Sequence, residues 1–204
     1  MKIHQPPLFG LVLIGGQSRR MGTDKSTLAY HGTPQWLHTT HLLRSHCEAV
    51  YLSERSDSAR GVEAGISSLP DSFNVGGPIN GILTALHERP EAAWLVLACD
   101  LPAIDEAEIA HLVRLRSPDH IATALADPDS GYPEPLAAIW EPTARPHIMK
   151  ALASGHNPGP SAILLEAECK TIFPLRPEAL HNINTPEECA TMMKATKGAA
   201  PGSP

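Results

Sequence analysis

Residues 11–25, LVLIGGQSRRMGTDK, join an apolar run to a loop that is rich in glycine and carries three cationic side chains. Such an apolar run is typical of a buried strand. Glycines let the backbone approach a ligand closely and turn its N–H groups towards phosphate oxygens. Arginine can hold a phosphate through paired hydrogen bonds, and lysine adds a compact point charge. The stretch therefore predicts a strand that ends in an anion-binding loop.

Two common phosphate-binding motifs are absent from this loop. The P-loop pattern G-x-x-x-x-G-K-[ST] is not met, because Asp24 separates Thr23 from Lys25 and the glycines are differently spaced. The dinucleotide pattern G-x-G-x-x-G is not met either, since Gly15 and Gly16 are adjacent. Taken alone, the glycines are equally compatible with an ordinary turn that carries surface charge.

The composition limits the classes of protein to which this chain can belong. With 204 residues, 42% of them hydrophobic, the chain can form one sizeable core. We expect a single domain over residues 1–197 and a disordered tail at residues 198–204. Four cysteines without a CxxC pair favour a reducing cytoplasm over a zinc or disulfide framework. A net charge of −6 disfavours nucleic-acid binding, and no apolar run reaches the roughly 20 residues that span a membrane.

Apolar runs alternate with helical segments along the chain. Strands are predicted at residues 9–14, 49–53, 94–99, 121–125, 136–140 and 171–175. Helices are predicted at residues 34–47, 78–88 and 105–116, and a last one opens at residues 185–188. Asp105 and Glu108 resemble a capping box at the start of the third helix. The alternation predicts an α/β protein, a three-layer α/β/α sandwich with a mostly parallel sheet.

Asp100 directly follows the apolar run at residues 94–99, and Pro102 then blocks regular strand pairing. Parallel α/β sheets bind ligands beyond the carboxyl ends of their strands, so Asp100 and the Gly15–Gly16 loop are expected at one edge. A carboxylate at that edge suits Mg²⁺, which prefers oxygen ligands and keeps several waters. The alternative is an aspartate that only caps a helix or makes a turn.

Four segments in order resemble the motifs of one group of enzymes. The loop L-x-x-G-G-x-S-x-R-M-G-x-D-K is similar to the signature of nucleotidyltransferases, which move a nucleoside monophosphate from a triphosphate to a phosphorylated acceptor. Residues 70–86, PDSFNVGGPINGILTAL, resemble the D-x(n)-GPLAG segment, and residues 97–104, LACDLPAI, resemble the metal-binding C-D-x-P motif. Residues 182–188, NINTPEE, resemble N-x-N-T-P-E. Within the group, the chain looks most like the molybdenum cofactor guanylyltransferases.

This resemblance implies a Rossmann-like fold of the nucleotide-diphospho-sugar transferase kind and a set of nucleotide contacts. In the family, the backbone of the glycine loop touches the nucleotide, and cationic side chains of the loop meet its phosphates. An asparagine after the second strand also contacts the nucleotide, and Ser53 is the best match to it here. The matching positions in this chain are Leu13, Ile14, Gly15, Gly16, Lys25, Ser53, Asp71 and Asp100, and one of Arg19 and Arg20 is expected to face phosphate.

The resemblance also implies a metal and an acceptor side. Asp100 falls where the family has an aspartate that binds Mg²⁺ and contacts the nucleotide. Asn182 and Asn184 match asparagines that lie near the metal and the acceptor. Together with Lys25 and Arg19, Asp100 is expected to carry catalysis.

The reaction implied by the resemblance is transfer of GMP from GTP to the terminal phosphate of molybdopterin, with release of pyrophosphate and with Mg²⁺ as cofactor. The acceptor phosphate is already ionised at neutral pH, so catalysis rests on positioning and charge stabilisation and requires no protein nucleophile. Transient contacts with other molybdenum cofactor proteins are also implied. Three alternatives stay open: cytidylyl transfer to the same pterin, transfer to another phosphorylated acceptor, and a nucleotide-binding module without turnover.

Overall fold

The computed structural model of the chain describes residues 5–14, 27–54, 66–155, 158–182 and 188. The strands are β1 (Leu8–Leu13), β2 (Val50–Glu54), β3 (Ser67–Pro70), β4 (Ala93–Ala98), β5 (Ala122–Ala126), β6 (Pro133–Trp140) and β7 (Cys169–Ile172). The α-helices are α1 (Gln35–Arg44), α2 (Ile79–Glu88), α3 (Glu106–Arg114), α4 (Ala144–Ala153) and α5 (Pro160–Glu166). A 3₁₀ turn covers Pro177–Leu180. The strands form one sheet in the order β3-β2-β1-β4-β6-β5-β7.

Every strand of this sheet except β6 runs in the same direction. The pairs β1–β2, β1–β4, β2–β3 and β5–β7 are parallel, whereas β6 is antiparallel to both β4 and β5. Helices α1 and α3 cover one face of the sheet, and α2, α4 and α5 cover the other. The predicted three-layer sandwich with a mostly parallel sheet is therefore confirmed.

Strand β1 shows why the sheet is covered on both faces. All of its residues are buried. The side chains of Val12 and the following Ile14 enter the core beneath α1 and α3, while those of Leu11 and Leu13 enter the core beneath α2. Successive side chains of a strand point to opposite faces, so only a continuous apolar run suits this central position. None of the helices in the described ranges is long and apolar enough to cross a membrane.

Several elements differ from the sequence predictions, each for a local reason. Strand β3 was not predicted, because SSLP is a four-residue edge strand with partly exposed side chains and no apolar run. Helix α4 escaped prediction because only two of its side chains, Ala144 and Ile148, are buried. Helix α5 has only seven residues. The strand predicted at residues 171–175 ends early, at the end of β7. The helix predicted at 185–188 lies outside the described residues, apart from residue 188.

Candidate active site

The ends of β1 and β4 form the centre of the candidate site. The two strands are parallel neighbours in which Leu13 pairs with Ala98, and the N–H of Cys99 donates to the carbonyl of Leu13 over 3.4 Å. Asp100 is the next residue, so it lies beside the point where β1 passes through Ile14 into the glycine loop. The chain leaves β1 towards β2 on one side and returns to β4 on the other. This is a topological switch point, the place at which open α/β sheets bind ligands.

We call this edge, where all strands but β6 end, the carboxyl edge. Leu13 and Ile14 lie there with side chains that are only 7% and 9% exposed. Their side chains belong to the core, which leaves the backbone as the part that can meet a ligand, and the predicted contact of this backbone with a nucleotide stays a prediction. Five predicted site residues lie outside the described residues: Gly15, Gly16, Arg19, Lys25 and Asn184.

Carboxylates from three strand ends gather around Asp100. Asp127 follows β5, and Glu134 is the second residue of β6, which runs in the opposite direction and so begins at this edge. Burial raises the pKa of Glu134, the charges of Asp100 and Asp127 raise it further, and the N–H of Leu136 opposes the rise by donating to Glu134 Oε1 over 3.0 Å. Negative charges that raise the pKa of a neighbouring carboxyl would also attract a cation. The sequence did not single out Glu134, because nothing local distinguishes it from an ordinary strand residue.

The donor set at Asp100 fits Mg²⁺. Within the described ranges, no three His, Cys, Asp or Glu residues are arranged as a complete metal cage. Asp100 is only half-buried, so its carboxylate can supply oxygen ligands at the edge. Mg²⁺ is commonly held in this way, by one or two carboxylates, while waters and substrate phosphates complete its coordination.

The loop between β5 and β6 is fixed by Asp127. Its Oδ1 accepts hydrogen bonds from the N–H and the hydroxyl of Ser130, over 2.8 and 2.7 Å. These bonds lower the pKa of Asp127, and the nearby His181 lowers it further. His181 directly precedes Asn182, which is exposed. The predicted acceptor-side asparagine therefore follows a residue whose charge acts on this loop.

Ser53, a predicted nucleotide contact, is buried where β2 meets α2. A Cβ added at Gly81 would lie 2.3 Å from Ser53 Oγ and 3.0 Å from Leu13 Cδ2. Only glycine permits such a close approach of the helix to the two strand ends. The structure thus places the Ser53 hydroxyl against α2, and its contact with a nucleotide stays a prediction.

Glu54 is a buried carboxylate beside the candidate site that sequence reasoning did not single out. It ends β2 and is only 6% exposed. Its Oε2 accepts a hydrogen bond from the hydroxyl of Ser68 over 2.8 Å, whereas its Oε1 is buried without a hydrogen-bond partner in the described part of the chain. A buried carboxylate oxygen without a donor is costly. It can therefore receive a ligand donor at the carboxyl edge.

Asp71, another predicted nucleotide contact, begins a loop that α2 holds in place. The N–H of Asp71 donates to the carbonyl of Glu54 over 2.9 Å. Buried Asn80 donates through Nδ2 to the carbonyls of Phe73 and Val75, over 2.6 and 3.1 Å, and accepts from the N–H of Phe73 at Oδ1. These bonds fix the loop after β3 against the start of α2. Asn80 was not singled out from the sequence, because its role depends on this folded-back loop.

A pair of stacked histidines supports the turn that follows Asp100. The rings of His31 and His38 are 3.9 Å apart and nearly parallel. His31 Nε2 donates to the carbonyl of Pro102 over 2.9 Å. Burial lowers the pKa of His38 to about 4, and the neighbouring His31 and His41 also lower it. The stacked pair therefore links α1 to the Asp100 turn.

The capping box predicted at the start of α3 is only half formed. Asp105 Oδ1 accepts from the N–H of Glu108 over 3.0 Å, as predicted. The Glu108 carboxylate does not turn back towards Asp105 but accepts the N–H groups of Leu175 and Arg176, over 2.9 and 2.8 Å. The first turn of α3 is thus bonded to the segment that leads to Asn182.

A mostly parallel sheet covered on both faces, with a glycine-rich cationic sequence after its first strand and an aspartate after β4, is typical of nucleotide-binding α/β proteins. The chain matches the family model described as the MobA-like NTP transferase domain over residues 10–168, and it belongs to that family.

Two relatives are similar to the chain in sequence, and one solved structure is similar to it in fold. It is 39% identical over 189 residues to a molybdenum cofactor biosynthesis bifunctional protein of Synechocystis, a match that covers 91% of this chain and 54% of that protein. The chain thus spans about half the length of this relative. It is 29% identical over 180 residues to a molybdenum cofactor guanylyltransferase of Pseudomonas entomophila, covering 87% of this chain and 93% of the relative. The crystal structure of molybdopterin-guanine dinucleotide biosynthesis protein A from Archaeoglobus fulgidus shares the fold, with a TM-score of 0.74, 21% identity and coverage of 93% and 99% of the two chains.

Proposed function

We propose that the chain transfers GMP from GTP to the terminal phosphate of molybdopterin, forming molybdopterin guanine dinucleotide and releasing pyrophosphate. The observation that carries the proposal is the pairing of β1 with β4, which brings the start of the glycine loop beside Asp100. The Pseudomonas relative, named a molybdenum cofactor guanylyltransferase, supports the choice of nucleotide and acceptor.

The nucleotide side of the site is built from β1, β2 and the loop after β3. Arg19 and Lys25 hold the phosphates, since a glycine-rich sequence with full positive charges suits a triphosphate. Asp71 contacts the nucleoside, and Asn80 keeps the Asp71 loop fixed against α2. A contact held in place before binding loses little entropy when the ligand arrives.

The metal side is Asp100. When Mg²⁺ is bound there, it supplies positive charge beside the phosphate oxygens. The half-buried carboxylates of Glu134 and Asp127 add negative charge on the acceptor side. They strengthen the binding of a divalent cation at Asp100 by electrostatic attraction.

The chemistry is an in-line displacement at the α-phosphorus of GTP. An oxygen of the acceptor's terminal phosphate forms the new bond to phosphorus, and the bond to the β-phosphate oxygen breaks. The acceptor phosphate is ionised at neutral pH, so no side chain must remove a proton. The chain contributes orientation, with Asn182 on the acceptor side, and charge stabilisation.

The proposal is tested by pyrophosphate release from the purified chain with Mg²⁺, molybdopterin and each of GTP, CTP, ATP and UTP. We expect release with GTP, and none when molybdopterin or Mg²⁺ is omitted. Asp100→Asn is the matched variant for the metal side: it keeps the size of the side chain and removes its charge, so pyrophosphate release should fall. Preference for CTP contradicts the guanylyl assignment. Nucleotide binding that ignores Mg²⁺, without pyrophosphate from any nucleotide, contradicts the enzyme assignment and favours a binding module.

A further inference from the structure

The first turn of α3 is hydrogen-bonded to the chain segment that follows β7. Glu108 is fully buried, so its carboxylate must find its hydrogen-bond donors within the protein. Its Oε2 accepts the N–H of Leu175 over 2.9 Å, and its Oε1 accepts the N–H of Arg176 over 2.8 Å. Hydrogen bonds to an ionised carboxylate are shorter and stronger than neutral ones. Two backbone groups of the returning segment are therefore fixed by one side chain.

The Arg176 side chain makes the reciprocal contact. Its Nη2 donates to the carbonyl of Ala103 over 2.9 Å and to Asp105 Oδ2 over 2.8 Å. Its Nε lies 3.9 Å from Glu108 Oε1. The guanidinium thus bonds to the turn between β4 and α3, while the backbone of the same residue is held by α3.

These contacts join the two segments that carry predicted site residues. Ala103 lies three residues after Asp100, and Arg176 lies six residues before Asn182. Leu101 and Leu180, which lie within these short connections, are buried in the same core cluster. A shift at the Glu108–Arg176 contacts would displace both Asp100 and Asn182, because packed cores do not absorb small displacements.

The arrangement goes beyond what the stability of α3 requires. The N-cap bond of α3 is supplied by Asp105 alone. An apolar side chain at position 108 could fill the same space, but it would leave the N–H groups of Leu175 and Arg176 without their acceptors. A carboxylate with two defined acceptors does something different, because it fixes where two particular N–H groups lie.

We propose that Glu108 and Arg176 form a positioning clamp, which sets the position of Asn182 relative to Asp100. Neither residue touches substrate; both act through the segments that they join. The inference rests on the proposed function, because it assigns Asn182 and Asp100 to one reaction. Loosening the clamp disturbs the geometry between acceptor and metal and leaves the nucleotide contacts on β1 and β3 in place.

The clamp is tested with Glu108→Gln, which keeps the shape and loses one of the two acceptors. We expect kcat/KM for molybdopterin to fall roughly 10- to 100-fold, the scale of misplacement by about an ångström, with KM for GTP unchanged within about twofold. Arg176→Ala is the second variant, since this residue is partly exposed and its loss leaves the Glu108 acceptors intact. Arg176→Lys, which keeps a donor, is expected to recover part of the activity.

Arg116→Ala is the control for lost stability alone. Arg116 forms a buried ion pair with Glu141 at the opposite edge of the sheet. Assayed well below its unfolding midpoint, this variant is expected to keep wild-type kcat and both KM values. Unchanged kinetics in Glu108→Gln and Arg176→Ala overturn the clamp, as does an equal kinetic loss in Arg116→Ala.

Amide hydrogen exchange on the unliganded chain gives a readout that does not depend on turnover. We expect Glu108→Gln to raise exchange together in peptides covering residues 101–105 and 173–182, and Arg116→Ala to leave both unchanged. If the wild-type chain releases no pyrophosphate, the proposed function fails while exchange still decides whether the clamp couples the two segments. Exchange that rises in neither peptide overturns the clamp even if turnover is present.

Discussion

The two edges of the sheet are built on different principles. At the amino edge, charged groups are buried with their partners. Arg116 Nε and Nη2 donate to the two oxygens of Glu141 over 2.7 and 2.9 Å, and both side chains are almost fully buried. The Arg89 guanidinium lies 4.5 Å from the centre of the Phe9 ring and donates to the Tyr51 hydroxyl over 2.8 Å.

The carboxyl edge instead collects negative groups from several strands. Glu54, Asp100, Asp127 and Glu134 all lie there: the first three at or just after the ends of β2, β4 and β5, and Glu134 near the start of the antiparallel β6. Glu54 Oε1 lacks a donor in the described ranges, and burial, together with the charges of Asp100 and Asp127, raises the pKa of Glu134. Unfavourable groups of this kind are kept where a ligand offsets their cost. The comparison teaches that one edge pairs its buried charges and stabilises the fold, whereas the other gathers negative groups that a bound cation would offset.

Breaking the Arg116–Glu141 pair should have the largest effect, and only on stability. Arg116→Ala leaves the Glu141 carboxylate buried without its partner, which we expect to cost about 3–5 kcal/mol of unfolding free energy. Urea unfolding measures the loss. The double variant Arg116→Met/Glu141→Leu should recover most of it, since apolar residues of similar size often replace a buried pair without loss. A single variant as stable as wild type would show that the pair is not desolvated.

Asp100→Asn should give the converse result at the carboxyl edge. We expect turnover to fall on the order of 10²- to 10³-fold, as when one charge-stabilising contact of an active site is removed. The urea midpoint should stay equal to or above that of wild type, because the variant relieves repulsion with Glu134. Pyrophosphate release and unfolding are measured on the same preparation. Wild-type turnover in this variant would remove Asp100 from the reaction.

The sequence predicted the parts of the site that depend on neighbours along the chain. The run that ends at Leu13, and the run that ends before Asp100, are continuous and apolar, and this pattern alone indicates central strands. The position of both ends at one edge follows from parallel pairing, which the structure confirms. Asp105 as an N-cap is likewise a local feature, and it was predicted correctly.

The rest depends on contacts between distant segments, for which the sequence carries no local signal. Glu54 is buried at the carboxyl edge because β3 pairs beside it. The sequence did not reveal β3, since this strand shows no apolar run. Glu108 was interpreted as half of a capping box, yet its carboxylate bonds to Leu175 and Arg176, which lie 67 and 68 residues away. Ser53 was matched as a ligand contact, and its burial against Gly81 is visible only once α2 is in place.

Gly81→Ala tests how tightly α2 is held against the carboxyl edge. The new methyl group would lie 2.3 Å from Ser53 Oγ, so we expect a loss of about 1–3 kcal/mol, as for other overpacked core positions. Ser53→Ala removes the oxygen that clashes and should restore part of the stability in the double variant. Urea unfolding of the wild type, both single variants and the double variant measures the coupling. Additive losses would mean that α2 moves away from β2 instead of clashing with Ser53.

The smallest effect concerns pH and the histidine pair beside the Asp100 turn. The pKa of His38 is lowered from 6.5 to about 4, so the unfolded chain takes up a proton at this residue before the folded chain does. The stability that neutral His38 contributes is complete above pH 6.5 and is lost as the pH falls towards 4. One such group changes the unfolding free energy by at most about 1.4 kcal/mol per pH unit.

His38→Phe keeps a ring against His31 and cannot be protonated, so between pH 6.5 and 5 it should lose less stability than wild type. Urea unfolding at several pH values measures the two slopes, and parallel slopes would show that His38 titrates as an exposed histidine does.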